Sequence, residues 1–163
     1  MDLIFDGVGD VGNSRKKPLV VPPVYLLLFI LGQVAIHRYW PLAQLFDGPI
    51  RYSGLMLLAL GILFVGWGAR AFARADTAIR PLEASTRLVT HGLYRFTRNP
   101  MYLGMIQVLA GVCLLLGSLS PWLLIPGFIL IIRNAFILRE EAMMESTFGE
   151  QYRNYRSSVR RWI

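Results

Sequence analysis

The sequence predicts an all-α fold, a polytopic membrane helical bundle with about four transmembrane helices and both termini on the cytoplasmic side. Three observations carry that reading. Hydrophobic residues make up 55% of the 163, and mean hydropathy is +0.47, too apolar for a soluble domain of this size. The apolar residues collect in runs long enough to cross a bilayer. The formal net charge is +7, from 17 Lys and Arg against 10 Asp and Glu, and the cations flank the apolar runs. Flanking cations belong with lipid headgroups and topology rather than with nucleic acid. The length leaves room for one membrane domain, residues 1–163.

Each element follows from local pattern. Residues 1–18 read as a polar cytoplasmic tail. It contains Gly7-Val8-Gly9-Asp10-Val11-Gly12, a G-x-G-x-x-G without the preceding strand that a dinucleotide site needs, so it reads as a chance match. Residues 19–36 form the first span, a retained signal anchor behind Arg15-Lys16-Lys17, with no Ala-x-Ala-like site after it. Residues 41–53 are a short loop, and 55–69 the second span, starting a turn earlier if Arg51 snorkels. Residues 70–100 are a polar connector holding Arg70, Arg74, Arg80, Arg87, Arg95 and Arg98. Residues 101–117 are the third span. Ser118-Leu119-Ser120-Pro121 is a tight uncharged turn, and 122–138 the fourth span, interrupted by Arg133-Asn134. Residues 139–163 are a charged cytoplasmic segment. The tail, the connector and the C-terminal segment hold nearly all the cations, which puts all three in the cytoplasm.

The chain is organised around residues 88–104, where polar, aromatic, Gly and Pro residues run straight into an apolar segment. Pro100 suits the first turn of a helix, where its missing N–H costs nothing. Asn99 before it suits the N-cap. Such a helix mouth favours an anionic group. An aromatic and basic anchor for the third span is the plainer alternative, but an anchor needs neither Gly92 and Gly104 nor an Asn-Pro start. Gly104 and Gly111 fall on one helix face and fit close helix packing. Farther on, helical periodicity puts Arg133, Ile137, Glu140 and Met144 on one face. Ionisable residues at membrane depth turn to the protein interior or a wet cavity, although a snorkelling Arg with solvated Glu residues is the plainer account. The single Cys113 reads as a packing residue, and with only His37 and His91 no metal site is expected. His91 is a loop residue that sequence alone does not assign.

Two blocks resemble a known family. Gly92-Leu93-Tyr94 with Arg98-Asn99-Pro100-Met101-Tyr102-Leu103-Gly104 is similar to the signature of integral-membrane methyltransferases, a group with the isoprenylcysteine carboxyl methyltransferases and the phospholipid (phosphatidylethanolamine) N-methyltransferases. Arg139-Glu140-Glu141 with Phe148-Gly149-Glu150-Gln151-Tyr152-Arg153-Asn154-Tyr155 resembles the family's C-terminal signature. The blocks cover about the last half of the chain, in the family's order. The resemblance implies binding of S-adenosylmethionine without a Rossmann domain, with cofactor contacts at Arg87, Leu88, Val89, Tyr94, Asn99, Pro100, Met101, Tyr102 and Glu140. It further implies catalytic roles for Arg98, Arg139 and Glu141, and a substrate contact at Arg133. The carboxyl methyltransferases usually have His where this chain has Asn99, and an Arg where it has Phe136, so a carboxylate acceptor is in doubt.

The expected function is therefore S-adenosylmethionine-dependent methyl transfer to a small or lipidic acceptor (amine, thiol or carboxylate) at the cytoplasmic face of a bacterial inner membrane. The expected partners are that hydrophobic acceptor and membrane lipid. The rival is a non-enzymatic small membrane protein that binds anionic lipid or a partner through its Arg-rich connector, and a third option keeps the pocket without activity.

Overall fold

A computed structural model of the chain describes residues 21–75 and 86–163. The N-terminal tail with its glycine motif, the start of the first expected span and the part of the connector around Arg80 lie outside the described residues. The long helices are α1 (Pro22–Tyr39), α2 (Ser53–Arg74), α3 (Pro100–Leu116), α4 (Leu124–Ile132) and α5 (Leu138–Ser158). Short 3-10 turns at Gly48–Tyr52, Gly92–Arg95 and Ser120–Leu123 lead into α2, the approach to α3, and α4. Prolines stand in the first turns of α1 and α3, where no backbone hydrogen bond is lost. Among the described residues every regular element is a helix.

Helices α2 and α3 pack almost backbone to backbone. A Cβ added at Gly61 would lie 2.6 Å from the Gly104 carbonyl oxygen, and one at Gly111 would lie 2.8 Å from that of Gly54. In lipid there is little hydrophobic drive between helices, so small residues that permit close contact supply the association. The other side of α3 meets α1 and α4. Leu109, Cys113, Phe128, Ile132 and Phe136 are all but fully buried there, with edge-on ring contacts from Phe29 to Phe128 and from Tyr25 to Phe136. Gln33 on α1 is fully buried and donates to the Leu109 carbonyl at 3.3 Å.

The outside of α1 and α2 is apolar and bare: Leu27, Leu28 and Leu31 on one, Leu55, Met56, Ile62, Leu63 and Trp67 on the other are exposed. A surface of that kind calls for lipid around it. Two helical stretches, Gly48–Arg74 and Ser120–Ser158, are long and apolar enough to cross a membrane, and Pro100–Leu116 is a shorter apolar helix.

Three details differ from the sequence reading. Helix α2 continues to Arg74, because Ala69-Arg70-Ala71-Phe72-Ala73-Arg74 holds good helix formers and no breaker. Arg51 is tied into the bundle: its Nε donates to the Leu115 carbonyl at 2.9 Å, and its Nη2 to the same oxygen, a cation at the negative end of α3. The helix that carries the fourth expected span does not stop at Leu138. Arg133–Ile137 forms one π turn that joins α4 to α5 as a continuous rod.

Far from the Pro100 end, α3 closes at Gly117, whose φ of +79° suits glycine at a helix C-terminus. The Gly117 carbonyl accepts the Leu45 N–H at 2.8 Å, and Leu119 N–H donates to the Ala43 carbonyl at 2.9 Å. The 41–47 loop is thereby tied to the turn after α3, and the Pro100 mouth stands at the opposite end of the bundle.

Candidate active site

The approach to α3 is pinned to the end of α2. Val89 and Tyr94 are buried against Ala71, and Phe72 meets the Tyr94 ring edge-on at 5.5 Å. Gly92, at φ +64°, turns the chain there in a left-handed conformation that residues with a side chain rarely adopt. Thr97, Arg98 and Asn99 then lead into Pro100.

The C-terminal rod returns to the same place because α5 bends. Gly149 adopts φ +51° and ψ −120° inside it, a conformation only glycine takes readily. Arg156 reaches back across the bend to Glu145 at 3.2 Å. Beyond the bend, the Tyr155 hydroxyl donates to the Tyr94 carbonyl at 2.7 Å. After Ser158 the chain becomes extended and lies along the loop before α3. Arg98 N–H donates to the Arg160 carbonyl at 3.0 Å. Thr97 Oγ1 and Asn99 Nδ2 both donate to the Arg161 carbonyl, at 3.1 and 3.0 Å.

At the centre the Tyr102 hydroxyl, in the first turn of α3, donates to Glu140 Oε1 at 2.8 Å. Beside it, Glu141 is gripped by a fork from Arg161, with Nε 2.9 Å from Oε1 and Nη2 2.7 Å from Oε2. Arg98 Nη1 stands 3.2 Å from Glu141 Oε1 and donates to the Tyr152 hydroxyl at 3.3 Å. The Arg98 side chain is only 9% exposed, and its Nε is buried without a partner. That guanidinium edge fits an incoming carboxylate.

The two neighbouring carboxyls at the start of α5 are driven apart in their ionisation. Burial pushes Glu140 up to about 7, with the Glu141 charge adding to this and the Tyr102 hydrogen bond opposing it. For Glu141 burial acts in the same direction, but the Arg161 hydrogen bonds and the charges of Arg98, Arg161 and Arg156 outweigh it and hold its carboxyl below the usual range. Divergent ionisation of adjacent carboxyls is a recurrent feature of enzyme sites and of structural ion-pair networks alike.

The structure thus brings Tyr94, Arg98, Asn99, Tyr102, Glu140 and Glu141 to one end of the bundle. Asn99 is not a side-chain cap: its amide is engaged by the tail carbonyl, and the Asn99 N–H donates to Thr97 Oγ1 at 3.2 Å. Pro100 is buried, and a Cβ at Gly68 on α2 would lie 3.6 Å from its Cγ and 2.6 Å from the Met101 Cγ. Val89 sits in the packing against α2, Leu88 is half-buried, and Arg87 is exposed. The predicted face of Arg133, Ile137, Glu140 and Met144 does not hold. The π turn inserts one residue, which rotates everything after it by about 100°. Arg133 bonds its neighbour Asn134 instead, and Arg139 lines a shallow groove with Leu130, Ile131, Asn134 and Ala135. Among the described residues no three His, Cys, Asp or Glu could together hold a metal ion.

Thr97, Tyr152 and Tyr155 lie in the stretches that the sequence singles out but carry no assigned role there, and Arg161 lies outside them. Tyr152 and Tyr155 share a helix face at i and i+3, a usable signal. Arg161 had none, since its place depends on the bend at Gly149.

The pattern of the phospholipid methyltransferase family matches residues 50–151, more than half the chain, and includes the helix mouth and the acidic pair. The chain belongs to the phospholipid methyltransferase family. It is 44% identical over 63 residues to an uncharacterized protein of Haemophilus influenzae, which covers 39% of this chain and 100% of that protein. It is 36% identical over 118 residues to protein-S-isoprenylcysteine O-methyltransferase of Schizosaccharomyces pombe, covering 66% of this chain and 49% of the yeast protein. The chain thus spans about half the length of the yeast relative. No solved structure matches. Family and apolar helices together make it an integral membrane protein of methyltransferase type.

Proposed function

We propose that the chain transfers a methyl group from S-adenosylmethionine to a small or lipidic acceptor bearing an amine, thiol or carboxylate. The observation that carries this is the 2.8 Å bond from Tyr102 to Glu140, which joins the helix mouth to the acidic pair, beside a buried Arg98 Nε without a partner. Those groups suit an amino acid moiety. Glu140 would take the ammonium, and Arg98 the carboxylate. Tyr94 and Tyr102 offer aromatic faces to a sulfonium. Asn99 and the first turn of α3 would contribute polar contacts at the mouth, and Pro100, Met101, Leu88 and Val89 its apolar wall. Glu141 would hold Arg98 in place, with Arg87 and Arg139 at the rims.

S-adenosylmethionine supplies an electrophilic methyl on a positively charged sulfur. The protein need not form a covalent bond of its own. Its work is alignment of the acceptor, exclusion of water and placement of charge. Tyr102 and Glu140 sit where the buried α3–α4 contact meets the polar end, which suits entry of a hydrophobic acceptor from lipid and of the donor from water. A four-span arrangement with both termini in the cytoplasm of a bacterial inner membrane, which the flanking cations support, would put the donor side where S-adenosylmethionine is made.

Isothermal titration of the detergent-purified chain with S-adenosylmethionine tests the reading. Saturable binding at micromolar to millimolar donor supports it, and an absence of binding across that range ends it. Mass spectrometry of lipid extracts incubated with isotopically labelled donor then identifies the acceptor.

A further inference from the structure

The last five residues make contacts that a frayed terminus would not. Two tail carbonyls accept three hydrogen bonds from Thr97, Arg98 and Asn99. Arg161 forks onto both oxygens of Glu141, a residue only 8% exposed. Trp162 packs against the core cluster that contains Tyr102 and Phe136. The tail therefore joins the approach to α3, the acidic pair on α5 and the apolar core at one point.

We propose that Arg161 is a positioning residue of the methyl-donor site and that Val159–Ile163 is one wall of that site. This rests on the donor reading above. The chain of contact is short. Glu141 and Glu140 are neighbours on one helix, so a fork that fixes Glu141 also fixes the rotation at which Glu140 meets Tyr102. The same fork shares Glu141 with Arg98, whose Nη1 it holds and whose Nε it leaves free to meet a ligand. The tail carbonyl on Asn99 sets the loop from which α3 begins. Without Arg161, Glu141 would keep a single cation, Arg98 would be drawn fully onto it, and the Thr97–Asn99 loop would lose its tether. A site with its supporting groups loosened binds less tightly even when every contacting group is present.

The test uses the full chain in detergent with S-adenosylmethionine as the titrant, and it compares Arg161→Ala, Arg161→Lys and Arg153→Ala. Arg153 is an exposed cation on the same helix as Glu141 and serves as the control. Arg161→Ala is expected to raise the donor Kd by about tenfold or more, the usual worth of a hydrogen bond to a buried charge. Arg161→Lys, which keeps the charge but not the fork, recovers part of that loss, and Arg153→Ala leaves the Kd unchanged. A merely structural role would lower the fraction of competent protein, seen as reduced stoichiometry and a lower unfolding temperature, with an unaltered Kd. Equal donor affinity in the unmodified chain and in Arg161→Ala overturns the proposal and leaves the donor reading intact. Failure of the unmodified chain to bind overturns both. Should Arg161→Ala not fold, Arg161→Lys decides: a Kd raised several-fold with unchanged helicity supports the positioning role, and an unchanged Kd overturns it.

Discussion

Two neighbouring carboxyls on α5 meet opposite surroundings. Glu141 is held by two cations, whereas Glu140 faces a phenol and is held up near neutrality by burial. If Glu140 receives the donor's ammonium, only its ionised form is competent. The sign follows from its folded-state value of about 7. Below that value the carboxyl is protonated, and donor affinity should fall by about tenfold per pH unit. Above it, affinity should level off. Titrations between pH 5.5 and 8.5 check this, and a flat profile would count against Glu140 as the ammonium partner. Glu140→Gln keeps an acceptor for the Tyr102 hydroxyl and nearly the same volume, so the fold should survive. It removes the charge, so the donor Kd should rise by about ten- to a hundredfold and the residual pH dependence should flatten. Circular dichroism on the same samples separates lost binding from lost structure.

At the scale of elements, the bundle depends on one close helix contact and one bend. Gly61→Ala would put a methyl 2.6 Å from the Gly104 carbonyl oxygen and 2.8 Å from Val108 Cγ2. The backbones must separate, at a cost of about 2 kcal/mol, and the unfolding midpoint in detergent should fall accordingly. Gly66, with open space around it, is the control, and Gly66→Ala should be neutral or slightly stabilising. The bend acts on function instead. Gly149→Ala meets no neighbour, yet it forces an L side chain into φ +51°, at about 1–3 kcal/mol. Straightening the rod carries Tyr152, Tyr155 and Arg161 away from the mouth. Donor affinity should therefore drop more than thermal stability does, which titration and melting on one preparation will separate. The helices themselves were legible in the sequence, because long apolar runs and first-turn prolines report local physics. The bend and the π turn were not: a positive φ at Gly149 and an extra residue at 133–137 are set by what the rod packs against. Periodicity assumes 3.6 residues per turn throughout, so it aligned Arg133 with Glu140 and missed the rotation.

The whole molecule divides by height. The Pro100 mouth, the acidic pair and the C-terminal tail share one end, while the 41–47 loop and the 117–119 turn are tied together at the other. The charge asymmetry of the sequence predicts both signature blocks on one side of the membrane, and the Tyr102–Glu140 bond joins them. That they meet through a tail strand, with Arg161 on Glu141, was not legible in the sequence, since nothing local to residues 159–163 specifies a partner. The charge asymmetry also implies a sidedness that can be measured. With Cys113 buried and so silent, single cysteines at exposed positions report the two ends separately. Asp47→Cys should react with a membrane-impermeant thiol reagent added to intact cells. Thr90→Cys and Ser157→Cys should react only after permeabilisation, and together, because Tyr155 is bonded to Tyr94. Labelling of Thr90→Cys from outside would reverse the orientation and put the donor site on the wrong face for a cofactor made in the cytoplasm. Labelling of Thr90→Cys and Ser157→Cys from opposite faces would contradict the contact that joins the two blocks, and the proposed site would fall with it.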